Sequence, residues 1–134
     1  LVVCFMGDGE NDEGQVWEAY LCAAKYALLN LTVVIDRNNI QIDGHTENVM
    51  PLDSLAAKLT AFNFNVLEVD GHNLGEIKEA YERAKVFFEK PTAIILRTIP
   101  GKGVDFMENE PGWHGKVPSP AEEILALAEL KKND

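Results

Sequence analysis

Two short apolar runs, Leu1 to Met6 and Leu31 to Ile35, restrict what this chain can fold into. Both are continuous, not alternating, as expected of strands covered on both faces in a parallel sheet. Both also end abruptly. The first breaks into Gly7-Asp8-Gly9-Glu10; the second passes through Asp36-Arg37 into Asn38-Asn39-Ile40. Between them, Gln15 to Leu29 carries Trp17, Tyr20, Leu21, Ala24 and Leu28 at helical spacing, which predicts a helix with one apolar face. Parallel strands need a crossover of about this length.

The pattern repeats downstream. Arg37 to Gly44 reads as a loop closing on the turn signal Asp43-Gly44. Pro51 and Asp53 open a short predicted helix through Ala61. Phe64 to Val69 predicts a third strand. Asp70-Gly71-His72-Asn73 is a turn in which Asn73 can cap the next helix. That helix runs to about Phe88, with Ile77, Ala80, Tyr81, Ala84 and Phe88 facing inward. Thr92 to Leu96 predicts a fourth strand. Pro100 to Pro118 is rich in Gly and Pro and lacks periodicity; such a loop in a compact domain is usually functional or disordered. Ser119-Pro120-Ala121-Glu122 is a capping box that starts a last helix ending at Lys131-Lys132. The expected fold class is therefore α/β: a parallel sheet with helices on both faces, as one domain over residues 1–134.

Composition narrows the partners. The net charge is −10, and no basic stripe is present, which argues against nucleic acid. The acidity itself reads as a solubility feature. No apolar run approaches the roughly 20 residues of a membrane span. Cys4 and Cys22 fall in the first strand and first helix without CxxC spacing. They are expected to be buried, reduced thiols, which implies a cytoplasmic home. The chain opens on Leu1, without an initiator Met and inside a strand, so it reads as a fragment of a longer protein.

In open α/β sheets, ligands gather in the crevice outside the carboxyl ends of the strands. Gly7 and Gly9 allow a phosphate close to the backbone, with the Gly9 N–H as a donor. The Asp8 carboxylate, an amide oxygen from Asn38 and a backbone carbonyl suit a hard divalent cation such as Mg²⁺. Each residue alone is an ordinary turn or cap residue. Set at two consecutive strand ends, they point to a metal-bridged diphosphate. Acidic residues crowd the first helix start, where the macrodipole favours them but where phosphate alone would be repelled. A cation between Asp8 and the diphosphate removes that conflict. An EF-hand fails, because Glu13 occupies the position that needs Gly and Ala19 the one that needs Glu. A Walker A loop at Gly101-Lys102-Gly103 fails for want of the earlier glycine and a following Ser or Thr.

Gly7-Asp8-Gly9-Glu10-Asn11-Asp12-Glu13-Gly14, followed by Asp36-Arg37-Asn38-Asn39-Ile40-Gln41-Ile42-Asp43-Gly44, resembles the thiamine diphosphate (ThDP) motif of transketolases. Thr98-Ile99-Pro100-Gly101-Lys102-Gly103 and Trp113-His114-Gly115 look like the end of the same cofactor domain. The resemblance covers nearly the whole chain and is strongest to the separately encoded amino-terminal subunit of split transketolases. It implies that Asp8, Asn38 and the Ile40 carbonyl hold the metal, Mg²⁺ with Ca²⁺ or Mn²⁺ as substitutes. Gly7, Gly9, Glu10, Ile42 and His114 would line the cofactor, with Ile42 against its ring system and His114 reaching both diphosphate and substrate. Glu13 would sit at a dimer interface. His45 and His72 carry no assigned role, and Lys102 is as readily a solvated lysine as a phosphate contact.

The implied reaction moves a two-carbon ketol unit from a ketose phosphate to an aldose phosphate, as in the pentose phosphate pathway. The implied partners are sugar phosphates, a carboxy-terminal subunit carrying the pyrimidine-binding domain, and a second copy of the assembled unit. The alternatives are another ThDP enzyme, of the 1-deoxyxylulose-5-phosphate synthase or dehydrogenase E1 type, and a non-catalytic scaffold. Gln41-Ile42-Asp43-Gly44 and Trp113-His114-Gly115 weigh against the first. Intact Asp8, Asn38 and His114 weigh against the second.

Overall fold

A computed structural model describes residues 1–132; the expected domain, 1–134, runs two residues beyond them. The strands are β1 (Val2–Gly7), β2 (Leu31–Arg37), β3 (Ile40–Gln41), β4 (Gly44–His45), β5 (Asn65–Asp70) and β6 (Thr92–Arg97). Four of them form one parallel sheet in the order β1-β2-β6-β5. The helices are α1 (Asp8–Asn11), α2 (Gly14–Lys25), α3 (Thr46–Val49), α4 (Leu55–Ala61), α5 (Leu74–Val86) and α6 (Pro120–Leu130). The parallel α/β architecture expected from the sequence is present.

One sheet face packs against α2 and α4. Tyr20, Ala23, Val33, Ile35, Leu55, Leu59, Phe64, Ala93 and Ile95 form its core, with Val16 and Trp17 at the edge. Trp17, Tyr20, Phe62 and Phe64 meet edge to face, the geometry favoured by aromatic quadrupoles. The other face packs against α5 through Val34, Leu67, Ala80, Ala84 and Ile94. Truncating a fully buried aliphatic side chain such as Leu59 to Ala costs about 2–5 kcal/mol.

Several expectations need correction. β1 is a sheet edge, and Val2, Cys4 and Phe5 are exposed, so among the described residues this strand is not covered on both faces. Cys4 and Cys22 are free and exposed, not buried. The first long helix stops at Lys25, not Leu29. Ala27 takes φ +50, the Leu28 N–H reaches the Ala23 carbonyl and the Ala27 N–H reaches Ala24. This is a Schellman stop with alanine where glycine is usual, so no residue in the sequence warns of it. Leu28 lies past that stop and Leu21 lies off the Val16–Tyr20–Ala23 stripe; both are exposed. Phe88 lies past the end of α5 and is also exposed.

The Arg37 to Gly44 segment is more ordered than a loop. β3 pairs antiparallel with β4, and α3 follows directly. The helix through Ala61 starts at Leu55, capped by Ser54, whose Oγ accepts the Ala57 N–H. The predicted caps at Asn73 and Ser119 form: Asn73 Oδ1 accepts from Gly75 and Glu76, and Ser119 and Glu122 exchange both bonds of a capping box.

Candidate cofactor and metal site

β1 and β2 pair with Gly7 opposite Asp36, so their carboxyl ends open onto one crevice. A cavity of about 590 Å³ lies there. Every residue singled out from the sequence lines it: Gly7, Asp8, Gly9, Glu10 and Glu13 from one side, Asn38, Ile40 and Ile42 from another, and His114 from the long loop. Asp36, Gln41 and Asp43 complete the wall.

Gly7 has φ −101, and neither Gly7 nor Gly9 takes the left-handed backbone that demands glycine. A Cβ at either would meet only ordinary contacts, Glu10 Oε2 at 3.9 Å and Gln41 Cβ at 3.5 Å. Turn geometry therefore does not require these glycines. What they do provide is open backbone on the cavity side.

Asp8 is 1% exposed. Its Oδ2 accepts from Arg37 Nη1 at 2.6 Å and from Thr46 Oγ1 at 2.9 Å. Its Oδ1 is shielded from solvent and has no hydrogen-bond partner among the described residues. Burial pushes the Asp8 carboxyl above the ordinary range, and Arg37, Thr46 and the Asn39 amide only partly oppose this. Burial would lower Arg37, but Asp53, Asp8 and Glu47 outweigh it and hold its charge in place. Asp12, one turn on, has both carboxylate oxygens shielded and unpartnered, and burial followed by the nearby Asp8 charge raises it as well.

Asn38 Oδ1 accepts the Ile40 N–H at 3.0 Å, and its Nδ2 donates to Asp36 at 3.1 Å. An amide oxygen has a second lone pair, so this turn leaves it able to ligate. Ile40 is buried and lines the cavity. Ile42 is 83% exposed, so it is not the core residue its apolar character would otherwise suggest. The Glu10 carboxylate accepts the Gly7 N–H at 2.8 Å and is thereby partly committed. Glu13 is exposed at the N-cap of α2.

The donor set fits a hard cation: a bare buried carboxylate oxygen, an amide oxygen, and an excess of negative charge around Asp8. Arg37 and Lys58 are the cations acting on that acidic group, against Asp8, Asp12, Glu47 and Asp53. Such an imbalance in a partly dry site calls for added positive charge.

His114 is exposed and follows a 3₁₀ turn, Pro111–Trp113. The long loop is anchored: Trp113 Nε1 donates to the Phe106 carbonyl at 2.9 Å, the two rings stack edge to face, and Lys116 sits 3.8 Å over the indole. His72 is not idle either; its Nε2 accepts the Ile99 N–H at 2.8 Å and fixes the loop's start.

The family model for the thiamine diphosphate binding domain of transketolase matches residues 1–131. The chain belongs to the transketolase family. It is 42% identical over 131 residues to a 6-deoxy-6-sulfo-D-fructose transketolase subunit from Clostridium sp. (strain MSTE9), covering 98% of this chain and 48% of that one. It is 39% identical to an apulose-4-phosphate transketolase subunit from Phocaeicola vulgatus, covering 95% of this chain and 45% of the relative. The chain thus spans about half the length of these curated relatives. Transketolase from Campylobacter jejuni shares the fold with a TM-score of 0.74 at 26% identity, over 98% of this chain and 24% of that enzyme.

Arg37 and Thr46 draw no role from their sequence positions, yet within this transketolase domain they hold Asp8. Arg37 offers a faint signal, as a charged residue at the end of an otherwise apolar strand. Thr46 offers none, because its bond to Asp8 spans 38 residues.

Proposed function

We propose that this chain is the ThDP diphosphate-binding part of the amino-terminal subunit of a split transketolase, and that the whole enzyme transfers a two-carbon ketol unit from a ketose phosphate to an aldose phosphate. The observation that carries this is one cavity lined by every expected site residue, among them Asp8, whose Oδ1 has no hydrogen-bond partner among the described residues. Asp8, Asn38 and the Ile40 carbonyl would hold Mg²⁺, for which Ca²⁺ or Mn²⁺ can substitute. The backbone at Gly7 and Gly9, with Glu10 beside it, receives the diphosphate. Ile42, exposed on the cavity wall, gives the cofactor rings an apolar surface. When bound, ThDP supplies the carbon nucleophile that ketol transfer requires.

His114 lines the same cavity as Asp8. From there its imidazole can donate to, or accept from, the hydroxyl and carbonyl oxygens of a substrate. Glu13 is an exposed lining residue, and a second copy of the assembled unit would meet it there. A carboxy-terminal subunit with the pyrimidine-binding domain completes the site. The two free, exposed thiols suit a reducing compartment such as the cytoplasm, and no helix among the described residues is long and apolar enough to cross a membrane.

Reconstitution tests the reading. The full amino-terminal subunit is expected to be inactive alone. With its carboxy-terminal partner, ThDP and Mg²⁺, it should transfer ketol units from a ketose phosphate. The relatives named for a sulfonated fructose and for apulose 4-phosphate make those donors the natural comparison. Full turnover by the isolated subunit would refute the split-site assignment.

A further inference from the structure

Asp8 has two carboxylate oxygens, and the fold treats them unequally. Oδ2 receives both Arg37 Nη1 and Thr46 Oγ1, while Oδ1 has no partner in hydrogen-bond geometry and the Asn39 amide acts on the carboxylate only as the weakest of its contacts. The two donors are themselves fixed. Arg37 and Thr46 are fully buried. Arg37 Nη2 bridges Glu47 and Asp53, and the Glu47 carboxylate is held in turn by the N–H groups of Leu52 and Asp53. The Thr46 N–H donates to the Asn39 carbonyl at 3.0 Å. One residue therefore holds both Asp8 and the loop that carries Asn38. A buried guanidinium ringed by carboxylates adds little to stability compared with an apolar side chain of similar volume. Its use lies elsewhere.

We propose that Arg37 and Thr46 are positioning residues for Asp8: they occupy Oδ2, so the carboxylate presents a single oxygen to the cation. This rests on the metal site described above. Mg²⁺ takes close, near-octahedral ligands, whereas Ca²⁺ accepts bidentate carboxylates and irregular geometry. A carboxylate pinned by one oxygen favours Mg²⁺. Released from the clamp, Asp8 can turn and offer both oxygens, and the preference moves towards Ca²⁺.

The test is a calorimetric titration of Mg²⁺ and of Ca²⁺ into the full-length subunit, assembled with its partner in excess ThDP. Arg37→Gln removes the charge and most of the fork; Thr46→Val removes one hydroxyl and keeps the shape. The Ca²⁺-to-Mg²⁺ affinity ratio should rise about ten- to a hundredfold in Arg37→Gln, the scale for losing a group that orients a metal ligand. Thr46→Val should shift it in the same direction by less. Equal losses for both ions, or an unchanged ratio in Thr46→Val with a wild-type circular dichroism spectrum, overturn the clamp. Should Arg37→Gln fail to fold, the valine variant decides alone. Asp8→Ala separates the two layers: if it leaves Mg²⁺ affinity intact, the metal site is wrong, whatever the ratio does.

Discussion

Asp8, which lines the cavity, and the Arg37 and Thr46 that hold it from behind are each at most 1% exposed and joined by charge-assisted hydrogen bonds. His114, which also lines the cavity, stands exposed on a loop, held at one remove by the packing of Trp113 on Phe106. The first group is costly to build and hard to deform, because each charge is compensated only in one arrangement. The second can adjust its distance to a ligand without breaking a buried bond. A rigid group suits an anchoring role, and an adaptable one suits contact with a substrate that changes charge and shape as it reacts. Binding and turnover should therefore separate between the two.

The strongest way to break that contrast is Asp8→Ala. It removes the carboxylate with the bare oxygen, while Glu47 and Asp53 still pair Arg37, so the fold should survive. Mg²⁺-dependent ThDP binding to the partnered complex should be lost in calorimetry. Unchanged affinity would move the anchor elsewhere. Next comes His114→Ala. A group that meets charge developing on substrate oxygens acts more on the transition state than on the ground state. Turnover with saturating ThDP and Mg²⁺ should fall roughly 10²–10⁴-fold, the range for a positioned proton-transfer group. ThDP affinity should change far less. Turnover within about twofold of wild type, well short of that range, would leave His114 a surface residue.

The smallest effect compares two shielded acids of one helical turn, Asp8 at its start and Asp12 at its cap. Asp8 has Arg37 and Thr46; Asp12, also shielded, has no partner among the described residues. Its folded-state carboxyl is raised above the ordinary 3.8 by burial. A raised acid is a burden wherever it is charged: the cost appears as pH rises past 3.8 and is complete above the raised folded value. Asp12→Asn should thus raise the melting temperature modestly at neutral pH, and the gain should vanish as pH falls below 3.8. A gain that persists in acid would trace to some other cause.

The strands, the crossover helices and the residues of the cavity were legible because they rest on local signals: apolar runs, caps, and glycine or asparagine at strand ends. What escaped was set by contacts distant in sequence or by main-chain geometry without a residue signature. The Schellman stop at Ala27 lacks its glycine. The β3–β4 hairpin is two residues per strand, too short for any alternation to register. Cys4 and Phe5 look like core in a string of apolar letters, but β1 lies at the sheet edge. Arg37 finds Asp8 only through the pairing of Gly7 with Asp36.

That pairing has a consequence for how the molecule reaches its native state. Asp8 and Arg37 are 29 residues apart, and their bond can form only when β1 and β2 meet in one alignment. A slip of one residue would turn Arg37 to the opposite side of the sheet. A ligand that binds only the correctly aligned chain deepens that state by mass action. Any ligand held between Asp8 and Asn38 would then act as a proofreader of the sheet, rewarding one strand alignment among its neighbours.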